Sequence, residues 1–112
     1  MIVGRHIIAE LYGVPPELIS REKTVKKIIE EAVDQAGLTR VGSVYNQFKP
    51  HGVTGIVLIA ESHVSVHTWP EYGLINLDIF TCGDTSKAGE VFDLLIKSFR
   101  PENYRQYVFD RG

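Results

Sequence analysis

Apolar residues recur three and four apart through Val25, Ile28, Ile29, Ala32, Val33 and Ala36, with Lys26, Lys27, Glu30, Glu31 and Asp34 between them. That spacing predicts an amphipathic helix with one core-facing stripe. Ser20 suits its N-cap, Glu22 its first turn and Gly37 its end. A second stripe of Ala88, Val91, Phe92, Leu95 and Phe99 predicts a helix over about 86–99, with caps from Asp84-Thr85-Ser86 and a stop at Pro101. Elsewhere the period is two. Ile75, Leu77 and Ile79 alternate with Asn76, Asp78 and Phe80, the mark of a half-buried strand. Residues 2–11, 39–48, 53–60 and 62–67 also read as strands, with Lys49-Pro50-His51-Gly52 as a hairpin turn. Tyr104, Tyr107, Val108 and Phe109 suggest a last one. The predicted order is β-α-β-β-β-β-α-β.

Consecutive hairpins imply an antiparallel sheet, and two helices with one stripe each should cover one of its faces. The expected fold class is therefore α+β, a two-layer sandwich. The other face then needs cover, which a dimer stacking sheet on sheet would provide.

With 112 residues, 44% of them hydrophobic, the chain suits a single domain spanning residues 1–112. A net charge of -2 and the lack of a basic block argue against a nucleic-acid partner. No apolar run is long enough for a membrane span, and Met1-Ile2-Val3-Gly4-Arg5-His6 does not read as a signal peptide. One cysteine excludes an internal disulfide and makes the cytoplasm the expected compartment.

Chemistry concentrates in Glu61-Ser62-His63, in His67-Thr68-Trp69-Pro70-Glu71 and in Phe80-Thr81-Cys82-Gly83. Taken singly these residues say little. A lone cysteine most often packs as a small apolar side chain, although Cys82 falls at a strand end, where functional groups gather. A cysteine–histidine nucleophile pair lacks any local signature here. His63 and His67 could share a metal on a helix, but Val64, Val66, Thr68, Trp69 and Pro70 argue for a strand. There they stand roughly 13 Å apart, four steps of ~3.3 Å, and no metal site is expected. Ser62, Thr54, Phe48 and Glu71 each have an ordinary reading as strand-end, strand, core and loop residue.

Taken in order, the motifs do more. Gly4-Arg5-His6, Glu10-Leu11-Tyr12-Gly13, Gly52-Val53-Thr54-Gly55, the three segments above and the closing Arg111-Gly112 resemble the prokaryotic S-adenosylmethionine decarboxylases from end to end. The resemblance implies a self-processing enzyme. Ser62 would attack the carbonyl of Glu61, and elimination of the resulting ester would cut the chain between Glu61 and Ser62. The new N-terminus would carry a covalent pyruvoyl cofactor made from Ser62. His67 would accept the proton in the elimination, a task that suits an imidazole, and the hydroxyl of Thr54 would assist.

In turnover the family's pyruvoyl group forms a Schiff base with the substrate amine and serves as electron sink. By the same resemblance Cys82 is the proton donor, Phe48 stacks on the adenine of S-adenosylmethionine and Glu71 binds its ribose. The product feeds spermidine, hence polyamine, biosynthesis.

The chain departs from the pattern in three places. Thr54 stands where serine is usual and keeps the hydroxyl. Asn46 stands where histidine is common. Leu74-Ile75-Asn76 replaces a smaller Tyr-Ala-Ala and is expected to add bulk near the pocket. A pyruvoyl-dependent decarboxylase of arginine or another basic amino acid is the alternative, and a non-catalytic binding relative a further one.

Ser62 and His67 pose a geometric problem. Five residues along a strand is roughly 16 Å, and the odd separation puts them on opposite faces. No glycine or proline between them favours a bend. The expectation is a homodimer with shared active sites, Phe48, Thr54, His67 and Glu71 from one subunit and Ser62 and Cys82 from the other.

Overall fold

A computed structural model describes residues 1–112. Six strands form one sheet: β1 (Gly4–Tyr12), β2 (Arg40–Gln47), β3 (Val53–Ile59), β4 (Ser62–Trp69), β5 (Leu74–Cys82) and β6 (Asn103–Arg111). Their order is β2-β3-β4-β5-β1-β6, and every neighbouring pair is antiparallel. The predicted element order holds throughout. β4 runs two residues beyond its predicted end because Thr68 and Trp69 still pair with Ile75 and Leu74.

Both helices, α1 (Glu22–Gln35) and α2 (Ser86–Phe99), pack on one face of this sheet. The α1 stripe puts Val25, Ile29, Ala32 and Val33 in the core, and all five residues of the α2 stripe are buried. Facing them, β4 contributes Val64 and Val66, and β5 contributes Ile75, Leu77 and Ile79. Burying one such side chain is worth about 1.5–3 kcal/mol.

One of the expected helix caps fails and two hold. Ser20 does not cap α1; its hydroxyl donates to the Pro16 carbonyl at 2.6 Å, closing the short turn before the helix. The first-turn amide of Glu22 instead donates to Oε1 of Gln47, on β2, at 2.6 Å. A side chain distant in sequence took the role that local spacing assigned to a hydroxyl. At the other end Gly37, with φ +80°, donates to Asp34, and Leu38 donates to Val33. This is the left-handed exit that glycine favours. For α2 the capping group is Asp84, whose Oδ1 accepts from the Ser86 amide at 3.0 Å and its hydroxyl at 2.6 Å. Those bonds hold the Asp84 carboxyl below its ordinary pKa.

The buried carboxylate of Glu30 ties α1 to β2. It accepts from Arg40, from Ser43 Oγ at 2.9 Å and from the Tyr45 hydroxyl at 2.9 Å. Burial first, and then the bond to Glu30, push the Tyr45 pKa well above that of an ordinary phenol.

The opposite sheet face has no helix over it. Ile8, Val44, Ile56, Leu58, Tyr107 and Phe109 stand exposed there, among polar residues. The candidate site residues lie toward the two ends of this sheet.

Candidate functional site

A cavity of about 400 Å³ opens where the β2–β3 turn meets the end of β4 and the short helical turn Pro70–Tyr72. That is a volume typical of small-molecule sites. Its lining includes Phe48, His51, Thr54, His67, Trp69 and Glu71. The turn is pinned from below. Gln47 Nε2 donates to the carbonyls of Ser20 at 2.9 Å and Gly52 at 3.0 Å. Buried Thr68 donates to the Ile19 carbonyl at 2.7 Å and accepts from the Val53 amide at 2.9 Å. Gly52, at φ +108°, lets the chain reverse here at a conformation side chains rarely adopt.

Two polar pairs face this cavity. Thr54 Oγ1 and His67 Nδ1 are hydrogen-bonded at 3.1 Å. His51 Nε2 lies 3.4 Å from Glu71 Oε1. Phe48 and Trp69 remain 49% and 43% exposed, so aromatic surface is available to a ligand. The Trp69 indole donates to Asn76 Oδ1 at 2.8 Å, which fixes its ring.

The second group lies at the far end of β4. Residues 60 and 61 make the tight turn from β3, and Ser62 opens β4 at φ +151°. A non-glycine residue there is strained, at a cost of order 1–3 kcal/mol. The Glu61 carbonyl accepts a hydrogen bond from the Cys82 amide at 2.8 Å, and the Glu61 side chain accepts from the Thr39 amide at 3.3 Å. Cys82 is exposed, against the usual packing of a lone cysteine, because it closes β5 on the open face. Its neighbour Thr81 is completely buried and its hydroxyl has no partner.

Phe48, Thr54, His67 and Glu71 therefore share one pocket, while Glu61, Ser62 and Cys82 share the opposite end of the same strands. β4 keeps continuous register with β3 from Ser62 to His67 and with β5 to Trp69, so no bend shortens the roughly 16 Å between Ser62 and His67. Leu74-Ile75-Asn76 does not fill the pocket as its bulk suggested. Ile75 is buried beneath the helices, and Asn76 serves Trp69.

Sequence reasoning gave no role to His51, Trp69 or Thr81. Only the fold reveals that two of them line the cavity and that the third is buried without a partner. It also missed a cluster on the open face. His6 and His63 direct Nε2 at the two oxygens of Asp78, at 2.9 and 3.2 Å, beside the Phe80 ring. The three come from β1, β4 and β5, so no sequence spacing announces them.

The S-adenosylmethionine decarboxylase family model matches residues 5–112. The chain belongs to that family. An S-adenosylmethionine decarboxylase proenzyme of Archaeoglobus fulgidus is 73% identical over 112 residues, covering both chains completely. One from Hydrogenobaculum is 50% identical over 98% of this chain and 82% of its own. The crystal structure of the adenosylmethionine decarboxylase from Aquifex aeolicus superposes with a TM-score of 0.96 at 47% identity, covering 99% of this chain and 92% of that one. The family thus accounts for the sheet and for both helices. No helix is long and apolar enough to cross a membrane.

Proposed function

We propose that this chain is a self-processing S-adenosylmethionine decarboxylase that cuts itself between Glu61 and Ser62. The observation that carries the reading is the state of that peptide bond. Its carbonyl already rests on the Cys82 amide at 2.8 Å, and its serine sits in a strained conformation. Attack of Ser62 Oγ on the Glu61 carbonyl carbon places negative charge on the oxygen that this amide holds. A fixed donor aimed at developing charge is an effective catalytic device. Breaking the C–N bond leaves an ester, moves the hydroxyl proton to the freed amine and releases the strained peptide.

His67 then takes the proton from Cα of residue 62. If its Nδ1–H donates to Thr54 Oγ1, the Nε2 lone pair is left to do so. Elimination cuts the chain, and hydrolysis with loss of ammonia leaves a pyruvoyl group at position 62. Bound there, the group supplies an electron sink for the pair left behind by carbon dioxide. The residues around position 62 fit it: Cys82 carries the chain's one thiol, that thiol is exposed, and the Cys82 amide already holds the Glu61 carbonyl.

The pocket supplies binding. Phe48 and Trp69 offer aromatic faces to the adenine, and Glu71 accepts from the ribose hydroxyls. An arginine substrate would leave those groups without partners. The decarboxylated product would serve spermidine, and so polyamine, synthesis in the cytoplasm.

Two half-sites at opposite ends of one strand call for two copies. We place the open apolar face against its counterpart in a homodimer. A two-fold axis near the middle of β4 lays the Ser62 end of one strand over the His67 end of the other, giving two shared sites. Exposed Val44, Ile56 and Leu58 support this contact.

The test combines intact mass with a substrate panel. Purified protein should resolve into two pieces split at Glu61–Ser62, the second reducible by borohydride, and should release carbon dioxide from S-adenosylmethionine rather than arginine. A chain that stays whole on prolonged warm incubation overturns the reading.

A further inference from the structure

Thr81 is completely buried, and its hydroxyl is the one buried side-chain polar atom without a hydrogen-bond partner. Groups of that kind lower stability, so their presence asks for a use. In register, Thr81 lies directly opposite Ser62 across the β4–β5 ladder. The kind of pairing matters. Because the Cys82 amide donates to the Glu61 carbonyl, Ser62 and Thr81 form a pair without hydrogen bonds between their own backbones. In such pairs the Cα atoms approach to about 4.5 Å and the side chains are at their closest. Cross-strand bonds between threonine and serine hydroxyls are a common outcome.

We infer that Thr81 is a positioning residue for self-cleavage: its hydroxyl, unpartnered at rest, accepts a hydrogen bond from the Ser62 hydroxyl as that side chain turns toward the Glu61 carbonyl. The direction of pull is favourable. Thr81 lies on β5, the strand toward which the Glu61 carbonyl points, so the bond draws Ser62 Oγ toward the carbon it attacks. In the step itself the Oγ–C bond forms, the C–N bond breaks and the hydroxyl proton passes to the Ser62 amine. Thr81 gives up nothing in this exchange. It steadies the nucleophile only during the attack, so the resting fold does not depend on it.

This role rests on the processing reading above and separates cleanly from it. Thr81→Val keeps the shape and removes the hydroxyl. A merely structural hydroxyl with a partner would lower stability when removed; this one has none, so the melting temperature should hold or rise. Meanwhile the cleavage rate, followed by intact mass, should fall roughly 10- to 100-fold, the scale of a misplaced reacting group. Thr81→Ser should restore most of the rate. If Thr81→Val cleaves at the wild-type rate, the inference fails while the processing reading stands. If cleavage slows but the protein melts early and serine gives no rescue, the role is structural and the inference also fails. If the unaltered chain never cleaves, it is the processing reading that falls and takes this inference with it.

Discussion

Thr54 and His67 are partners across the β3–β4 ladder, and their side chains join at 3.1 Å on the open face of the sheet. Neighbouring strands thus set an imidazole and a hydroxyl by register alone. His67→Ala should slow chain cleavage roughly 100- to 10,000-fold, the usual worth of a general base. Ester should accumulate, since the proposed scheme uses the imidazole only in the elimination. Thr54→Val should cost roughly fivefold, about one hydrogen bond, and Thr54→Ser almost nothing. Mass spectrometry with hydroxylamine trapping of the ester reports all three.

Subunit complementation tests the shared site. Ser62→Ala and His67→Ala, co-expressed so that mixed dimers form, each lack one half-site. A mixed dimer keeps one intact site, so the His67→Ala chain should be cut and the Ser62→Ala chain should not. Mixed dimers with no cleavage would place the whole site within one chain.

Glu71 lines the pocket, and the proposed scheme gives it no part in the cut. Glu71→Gln should leave processing at its normal rate and raise KM for S-adenosylmethionine. The rise should be roughly 10- to 100-fold, as for a lost hydrogen bond to a charged group. Steady-state kinetics on fully processed protein separates this from a change in kcat. Slowed cleavage in Glu71→Gln would move the residue out of the binding role.

Tyr45 sets an alkaline limit. Burial and the Glu30 bond raise its pKa in the folded state, so the folded chain holds a proton that the unfolded chain releases near pH 10. The stabilisation is fully present below about pH 10 and is lost as pH rises from there toward the folded pKa. Tyr45→Phe should therefore unfold less steeply with alkali, although it loses a bond at neutral pH. Denaturant midpoints measured across that range would show it; parallel slopes would exclude Tyr45 as the group responsible.

What the sequence allowed to be read, and what it hid, follows from the reach of each interaction. The stripes Val25–Ala36 and Ala88–Phe99 and the alternation through Ile75, Leu77 and Ile79 are local, so both helices and the sheet could be read directly. Ser20 and Gln47 show the limit. Both can cap Glu22, and only the packing of β2 beside α1 decides between them. The motif residues were legible one by one through resemblance, yet their division into two groups was not. It arises because β4 runs straight, a property of two ladders rather than of its own residues. Thr81 hid for the opposite reason: a buried threonine in a strand looks ordinary until its hydroxyl is seen to lack a partner.

β1 lies between β5 and β6, although in sequence it stands at the other end of the chain. A cut at Glu61–Ser62 would leave β1 in the first piece and both of its neighbours in the second. The two pieces would then be woven together, and neither could leave without undoing three ladders, two along β1 and the one between β3 and β4. Scission would pass unnoticed in any measurement of native size. Its trace would appear only after unfolding, because an intact precursor refolds as one chain, whereas separated pieces must first find each other. Maturation would in this sense be a one-way passage, in which a molecule that once could fold alone becomes one that must never come apart.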